Sequence, residues 1–268
     1  LAIFDALDFT EAGNTYQDNT NTDGDAAPYY LFPTSNAKNG GYAQHANDPA
    51  KYVVDTGAYS FFTNLKSASI ILNKTDAIIA GTEMGGFDTH SNQGAATGAH
   101  SNLQRRIGWA IYALRKYFQT YADKCTWDNL VVVTLSEFGR TTVQNGNNGT
   151  DHAEAGVMFV AGGGIKGGVI GCSPNDPVPW SVGPPNQGTV DGSMFGVSDR
   201  YLKRCVDYRS VLGKLIRDHL GATQGQLDRI IPGYADPRES LLSGGTSGKD
   251  NTPILGELMV TVRDAMGP

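Results

Sequence analysis

Three short stretches of this chain set carboxylates and imidazoles beside apolar runs: GGFDTH at residues 85–90, SEFGR at 136–140 and TDHAE at 150–154. Asp88 and His90 stand one residue apart, directly after two glycines. In extended backbone, residues i and i+2 share a face, so this carboxylate and imidazole can close on one cation. Ser136, Glu137 and Arg140 follow the run NLVVVTL, and Asp151 and His152 precede the run GVMFVAGG. Because Asp151 and His152 are adjacent, extended backbone turns them to opposite faces. Each stretch alone is ordinary turn chemistry. Three of them, each beside a strand-like run, point to a shared polar site with Asp88, His90, Glu137, Asp151 and His152 as metal ligands. Mixed carboxylate and imidazole donors suit a divalent ion, zinc or manganese better than calcium.

The elements that must position these residues follow from hydrophobic spacing. FFTNLKSASIILNK (61–74) carries apolar residues at 61, 62, 65, 68 and 72, one face of a helix. DAIIAGTEM (76–84) reads as a short buried strand running into the two glycines. Leu103, Ile107, Ala110, Ile111, Leu114, Phe118 and Tyr121 recur at three and four residues, predicting a helix over about 98–122. The β-branched runs at 129–135 and 156–163 are of buried-strand type. A helix over 208–221, ending on Gly221, closes the alternation. Helix, strand, helix, strand, strand and helix are the alternation of an α/β sheet covered by helices. In such sheets, ligands gather beyond the carboxyl ends of the strands, where the three stretches fall.

Composition narrows the class. Forty per cent hydrophobic and 18% charged residues over 268 positions fit a globular chain with a sizeable core. A net charge of -6 and no Lys/Arg cluster exclude a nucleic-acid partner. No apolar run approaches the roughly 20 residues that span a bilayer. Cys125, Cys172 and Cys205 are too scattered for a zinc knuckle, leaving either one disulfide and a thiol or three reduced cysteines. Residues 1–57 are dense in Asn, Asp, Thr and Gly and read as an irregular segment packed on the core by Tyr29, Tyr30 and Phe32, with the main domain at 58–268. Residues 171–200 read as a surface excursion, and 241–253 as a connector before a helix near 254–265. GGGIKGG (162–168) lacks the residue order of a phosphate loop and reads as a turn. His45, His100 and His219 have no ligand partner at usable spacing.

GGFDTHSNQ, VVVTLSEFGRT, GTDHAEAGVMFVAGGGIKGG and DYRSVLGKLIRDHLG, in that order, closely resemble the bacterial family called domain of unknown function 1501, over about residues 58–232. That family is grouped with the alkaline phosphatase and sulfatase superfamily, and its members typically carry a twin-arginine export signal. The resemblance therefore implies an α/β sandwich with a mostly parallel sheet between helices, in a periplasmic or secreted protein. Two-metal enzymes of the superfamily take an Asp and a His from one segment, which Asp88 and His90 resemble. They take an Asp-His-Gly after a central strand, where this chain reads Glu137-Phe138-Gly139, and a later His that His152 matches. Phe138 thus stands where a metal-binding His is expected, which leaves a second ion without that ligand.

The family's N-terminal segment reads roughly Gly-Gly-Pro-Ser-His-x-Asp, and residues 1–57 hold nothing like it. Either the chain is an incomplete or cleaved form, or it lacks the nucleophile. Ser136 or Thr89 could be proposed instead, but neither has an obvious base beside it. Two functions follow. In the first, a divalent ion polarises a phosphate or sulfate ester oxygen or activates water, and Arg140 clamps the anionic group of a small ester or a sulfated or phosphorylated glycan. In the second, an exported non-catalytic protein keeps the fold around a degenerate or structural metal site.

Overall fold

The computed structural model describes residues 7, 29–35, 40–45, 47–153, 155–165, 167, 197–198, 201–202 and 208–231. Cys172, Cys205, the 241–253 connector and the helix expected at 254–265 lie outside them. The chain divides into two compact units, Leu1–Val132 and Val133–Pro268.

The first unit is built on two helices, α1 (Tyr59–Lys74) and α2 (Ala99–Thr120). The apolar stripe explains α2. It buries Leu103, Ala110, Leu114 and Phe118 as spaced, and adds Ala113 and Tyr117. On α1 the stripe begins at Phe62 and Leu65, as expected, then passes through Ser69, Ile70 and Asn73. Two of these buried residues are polar, and hydrogen bonds offset their desolvation. The Ser69 hydroxyl donates to the Leu65 carbonyl at 2.7 Å. Asn73 donates to the Tyr121 carbonyl at 2.7 Å and accepts from the Asp123 amide at 2.9 Å. In doing so it satisfies a carbonyl that the end of α2 would leave orphaned.

Part of the N-terminal stretch packs on this pair. Phe32 is buried with its ring 5.9 Å from Tyr117, Trp109 donates to the Leu31 carbonyl, and the Tyr29 and Tyr112 hydroxyls meet at 2.6 Å. The stretch is less irregular than its composition suggests: β1 (Ala43–His45) and β2 (Asp48–Val53) form an antiparallel ladder pairing Ala43 with Val53. Pro49, which has no N–H to give, and the polar neighbours hide this ladder from a hydrophobic pattern. Just beyond it, the Asp55 carboxylate takes the Tyr42 hydroxyl at 2.5 Å and two donors of Arg106, tying the hairpin region to α2.

Residues 76–84, expected as a strand, join no ladder among the described residues, and Ile78 and Ile79 are 76% and 71% exposed. A strand is held by the neighbour its N–H and C=O groups meet, and apolar character alone supplies none.

The second unit begins within β3 (Val132–Val133), which pairs with β6 (Val160–Ala161). The bond from the Thr134 amide to the Phe159 carbonyl, at 3.0 Å, continues the contact. Between them, β4 (Gly139–Arg140) and β5 (His152–Ala153) form an antiparallel pair, and β7 (Val197–Ser198) pairs with β8 (Tyr201–Leu202). The expected C-terminal helix is α3 (Tyr208–Lys214), widening into a π turn at Leu215–His219. Gly221, at φ 72°, closes it, and the Ala222 amide reaches back to the Ile216 carbonyl. A further helix, α4 (Gln224–Ile230), is capped by Thr223 and packs Leu227 with Leu212 and Ile216. No helix among the described residues is long and apolar enough to cross a membrane.

Candidate functional site

In the first unit, the chain enters GGFDTH through Gly86 at φ 98°, a conformation open to glycine and strained for other residues. Two tight three-residue turns follow. The Thr89 amide donates to the Phe87 carbonyl at 2.9 Å, and the His90 amide to the Asp88 carbonyl at 3.1 Å. Alternate side chains then divide between inside and outside. Phe87 meets the His100 ring edge-on at 5.9 Å, and Thr89 is buried with its hydroxyl on Gln93. Asp88 and His90 point the other way, their side chains 55% and 46% exposed, and His90 Nε2 lies 2.9 Å from Asp88 Oδ1.

That pair fits a divalent ion. Ligand atoms bound at about 2.0–2.2 Å in tetrahedral geometry sit roughly 3.4 Å apart, so an ion replacing the shared proton asks the two side chains to part by about half an ångström. Their exposure leaves room for it.

In the second unit, the remaining residues cluster on the β4–β5 pair. Arg140 stands opposite His152, and Gly139 opposite Ala153. The connecting loop is laced across its base: the Thr141 amide donates to the Asp151 carbonyl, and the Asp151 amide to the Thr141 hydroxyl. Gly139 is required here by close approach, since a Cβ would sit 1.8 Å from the Ala155 carbonyl oxygen.

His152 is exposed, and its imidazole stacks on the Phe138 ring at 4.2 Å, 13° from parallel. The Arg140 guanidinium carbon lies 5.6 Å from the same ring. Phe138 therefore fills the place of the expected histidine with a packing surface and offers no donor. The Asp151 carboxylate turns into the loop, where it accepts from the Asn145 carboxamide at 2.8 Å. Arg140, expected as an anion clamp, donates to the hydroxyl of Thr150 at 2.9 Å and to its carbonyl. Ser136 donates its proton to the Phe138 carbonyl at 2.8 Å, and Glu137 is exposed.

Thr150 and Asn145 escaped the reading by residue type, and Phe138 was read only as a missing histidine, not as a stacking partner. The spacing of Phe138 and Arg140, two apart on one strand face, was the available signal. The turn-rich segment QNGNNG at 144–149 marked the hairpin that sets His152 opposite them.

Residues 71–178 match the model of a family described as "Protein of unknown function (DUF1501)". This supports the resemblance drawn from the motifs, three of which fall within that range. No curated protein and no solved structure matches the chain.

Proposed function

We propose that this is an exported, divalent-metal-binding protein of the phosphatase and sulfatase type, in the periplasm or outside the cell, with a site whose residue types suit phosphate or sulfate esters. The observation that carries the reading is the Asp88–His90 pair, a carboxylate and an imidazole facing each other at 2.9 Å on an exposed turn. The motif order adds Glu137, Asp151 and His152 as donors, and zinc and manganese suit this set better than calcium. Bound there, the ion would supply Lewis acidity to an ester oxygen. Arg140, in the same run of motifs, has a guanidinium suited to a tetrahedral anion, which would have to compete with Thr150 for its donors.

A second reading, a non-catalytic protein with a structural ion, draws support from the same residues. Arg140 is engaged by its own hairpin, and Ser136 gives its proton to a backbone carbonyl. Metal analysis of protein purified without chelator or metal-affinity resin tests both readings. Bound zinc or manganese that falls in His90→Ala supports a metal protein, and absence of metal with no uptake on titration refutes it. Turnover of aryl phosphate or aryl sulfate by the loaded protein then separates enzyme from scaffold.

A further inference from the structure

The loop between β4 and β5 reads QNGNNG and contains two Asn-Gly pairs, Asn145–Gly146 and Asn148–Gly149. Asn-Gly bonds are chemically labile because glycine leaves its backbone nitrogen unhindered. That nitrogen attacks the carboxamide carbon of the preceding asparagine and loses its own proton. The bond from that carbon to the side-chain nitrogen breaks and ammonia leaves. Water then opens the resulting succinimide to aspartate or isoaspartate. Exposure of Gly146, Asn147 and Asn148 places this chemistry within reach of solvent.

One side chain guards both pairs. The Asn145 carboxamide donates to Asp151 Oδ1 at 2.8 Å, and its oxygen accepts from the Asn147 amide at 2.9 Å and the Gly149 amide at 3.1 Å. At the first pair this pins the electrophile, since the Asn145 carbon must rotate toward Gly146 to react. At the second it occupies the nucleophile, because the Gly149 nitrogen is the donor held by Asn145. The Asn148 carboxamide itself is held only at the exposed surface, by Gln144 at 2.7 Å.

We infer that the 145–149 loop is a spontaneous deamidation site held shut by Asp151 through the Asn145 carboxamide, so that both Asn-Gly pairs open together. Conversion of Asn145 would set a second carboxylate against Asp151, replacing a hydrogen bond by repulsion and freeing the Gly149 nitrogen. Damage at the first pair thus promotes damage at the second, beside His152.

The test is peptide mapping by mass spectrometry after incubation at mildly alkaline pH, with folding followed by circular dichroism. Folded wild type should convert both asparagines several-fold more slowly than the same chain in urea. Folded Asp151→Ala should convert both several-fold faster than folded wild type, while Asp151→Asn, which keeps an acceptor oxygen, stays near it. Equal rates in folded and unfolded wild type would overturn the guard. So would acceleration of only one of the two asparagines in a folded Asp151 variant. The mapping is run on metal-free protein, so its outcome is read separately from metal binding and activity.

Discussion

The Phe138 ring stacks on the His152 imidazole at 4.2 Å and 13° from parallel, two residues before Arg140, the ladder partner of His152. Stacking of this kind contributes about 0.5–1.5 kcal/mol beyond the area it buries and fixes the plane of the imidazole. Phe138→Leu should therefore lose roughly that much stability in urea unfolding. It should also move the His152 ring-proton resonances out of the shielding cone of the ring. Phe138→Tyr should restore both. Unchanged resonances in Phe138→Leu would show that the stack does not exist in solution.

Removing a donor from the Asp88–His90 pair takes away one of its two facing ligand atoms. His90→Ala should weaken zinc or manganese binding by more than the roughly 10–100-fold that loss of an outer hydrogen-bond partner costs. His219→Ala, on the far side of the sequence in the π turn, should leave binding unchanged. Calorimetric titration of both variants reads the difference, and equal affinities would remove Asp88–His90 as the site.

Asp55 carries an acid-stability prediction. Burial opposes its charge, but hydrogen bonds from Arg106 and Tyr42 outweigh that and hold its carboxyl below the usual carboxylate range. A depressed folded value means the stabilisation is fully present above the unfolded value of about 3.9 and is lost as pH falls through the lower folded one. Asp55→Asn should flatten the acid limb of the stability curve below about pH 4. Arg106→Ala should cost about 1–3 kcal/mol at neutral pH, since Asp55 loses its bidentate donor. Urea unfolding across pH checks both.

Two glycines should respond oppositely to alanine. At Gly139 the new Cβ meets the Ala155 carbonyl oxygen, and backbone must move, costing on the order of 1–3 kcal/mol or more. At Gly108, inside α2, nothing lies within 4 Å of the new methyl. There alanine should stabilise by about 0.5–1 kcal/mol, because it narrows the unfolded ensemble and favours helix.

These cases also show what a one-dimensional pattern can carry. The α2 boundaries were legible because Leu103, Ala110, Leu114 and Phe118 repeat with the helix period. Asn73 was not, because its burial depends on Tyr121 and Asp123, 48 and 50 residues away. The β1–β2 and β4–β5 ladders consist mainly of backbone pairing, which side-chain hydropathy does not encode. The facing of Asp88 and His90 was legible because two residues one apart in the sequence make their own geometry. Arg140 and Ser136 were visible as residue types, yet their hydrogen-bond partners, Thr150 and the Phe138 carbonyl, depend on the fold of the hairpin.

That dependence sets the last prediction, on activity. Metal-assisted hydrolysis of a phosphate or sulfate ester through a covalent intermediate needs an attacking group, an ion to bear developing charge and a clamp for the transferred anion. Ser136 is a poor attacking group here, because its proton is committed to a carbonyl oxygen that cannot act as a base. Arg140 must release Thr150 before it can clamp anything. The 268-residue chain, loaded with zinc or manganese, should therefore show little or no turnover of generic aryl phosphate or aryl sulfate esters. Any turnover should survive Ser136→Ala within a factor of about two, since a change under roughly 0.4 kcal/mol is what a surface hydroxyl contributes. Thr150→Val, which frees an Arg140 donor without altering its charge, should raise turnover if Arg140 is the clamp. Robust hydrolysis abolished by Ser136→Ala would instead make Ser136 the nucleophile, and would require its bond to Phe138 to open in the working protein.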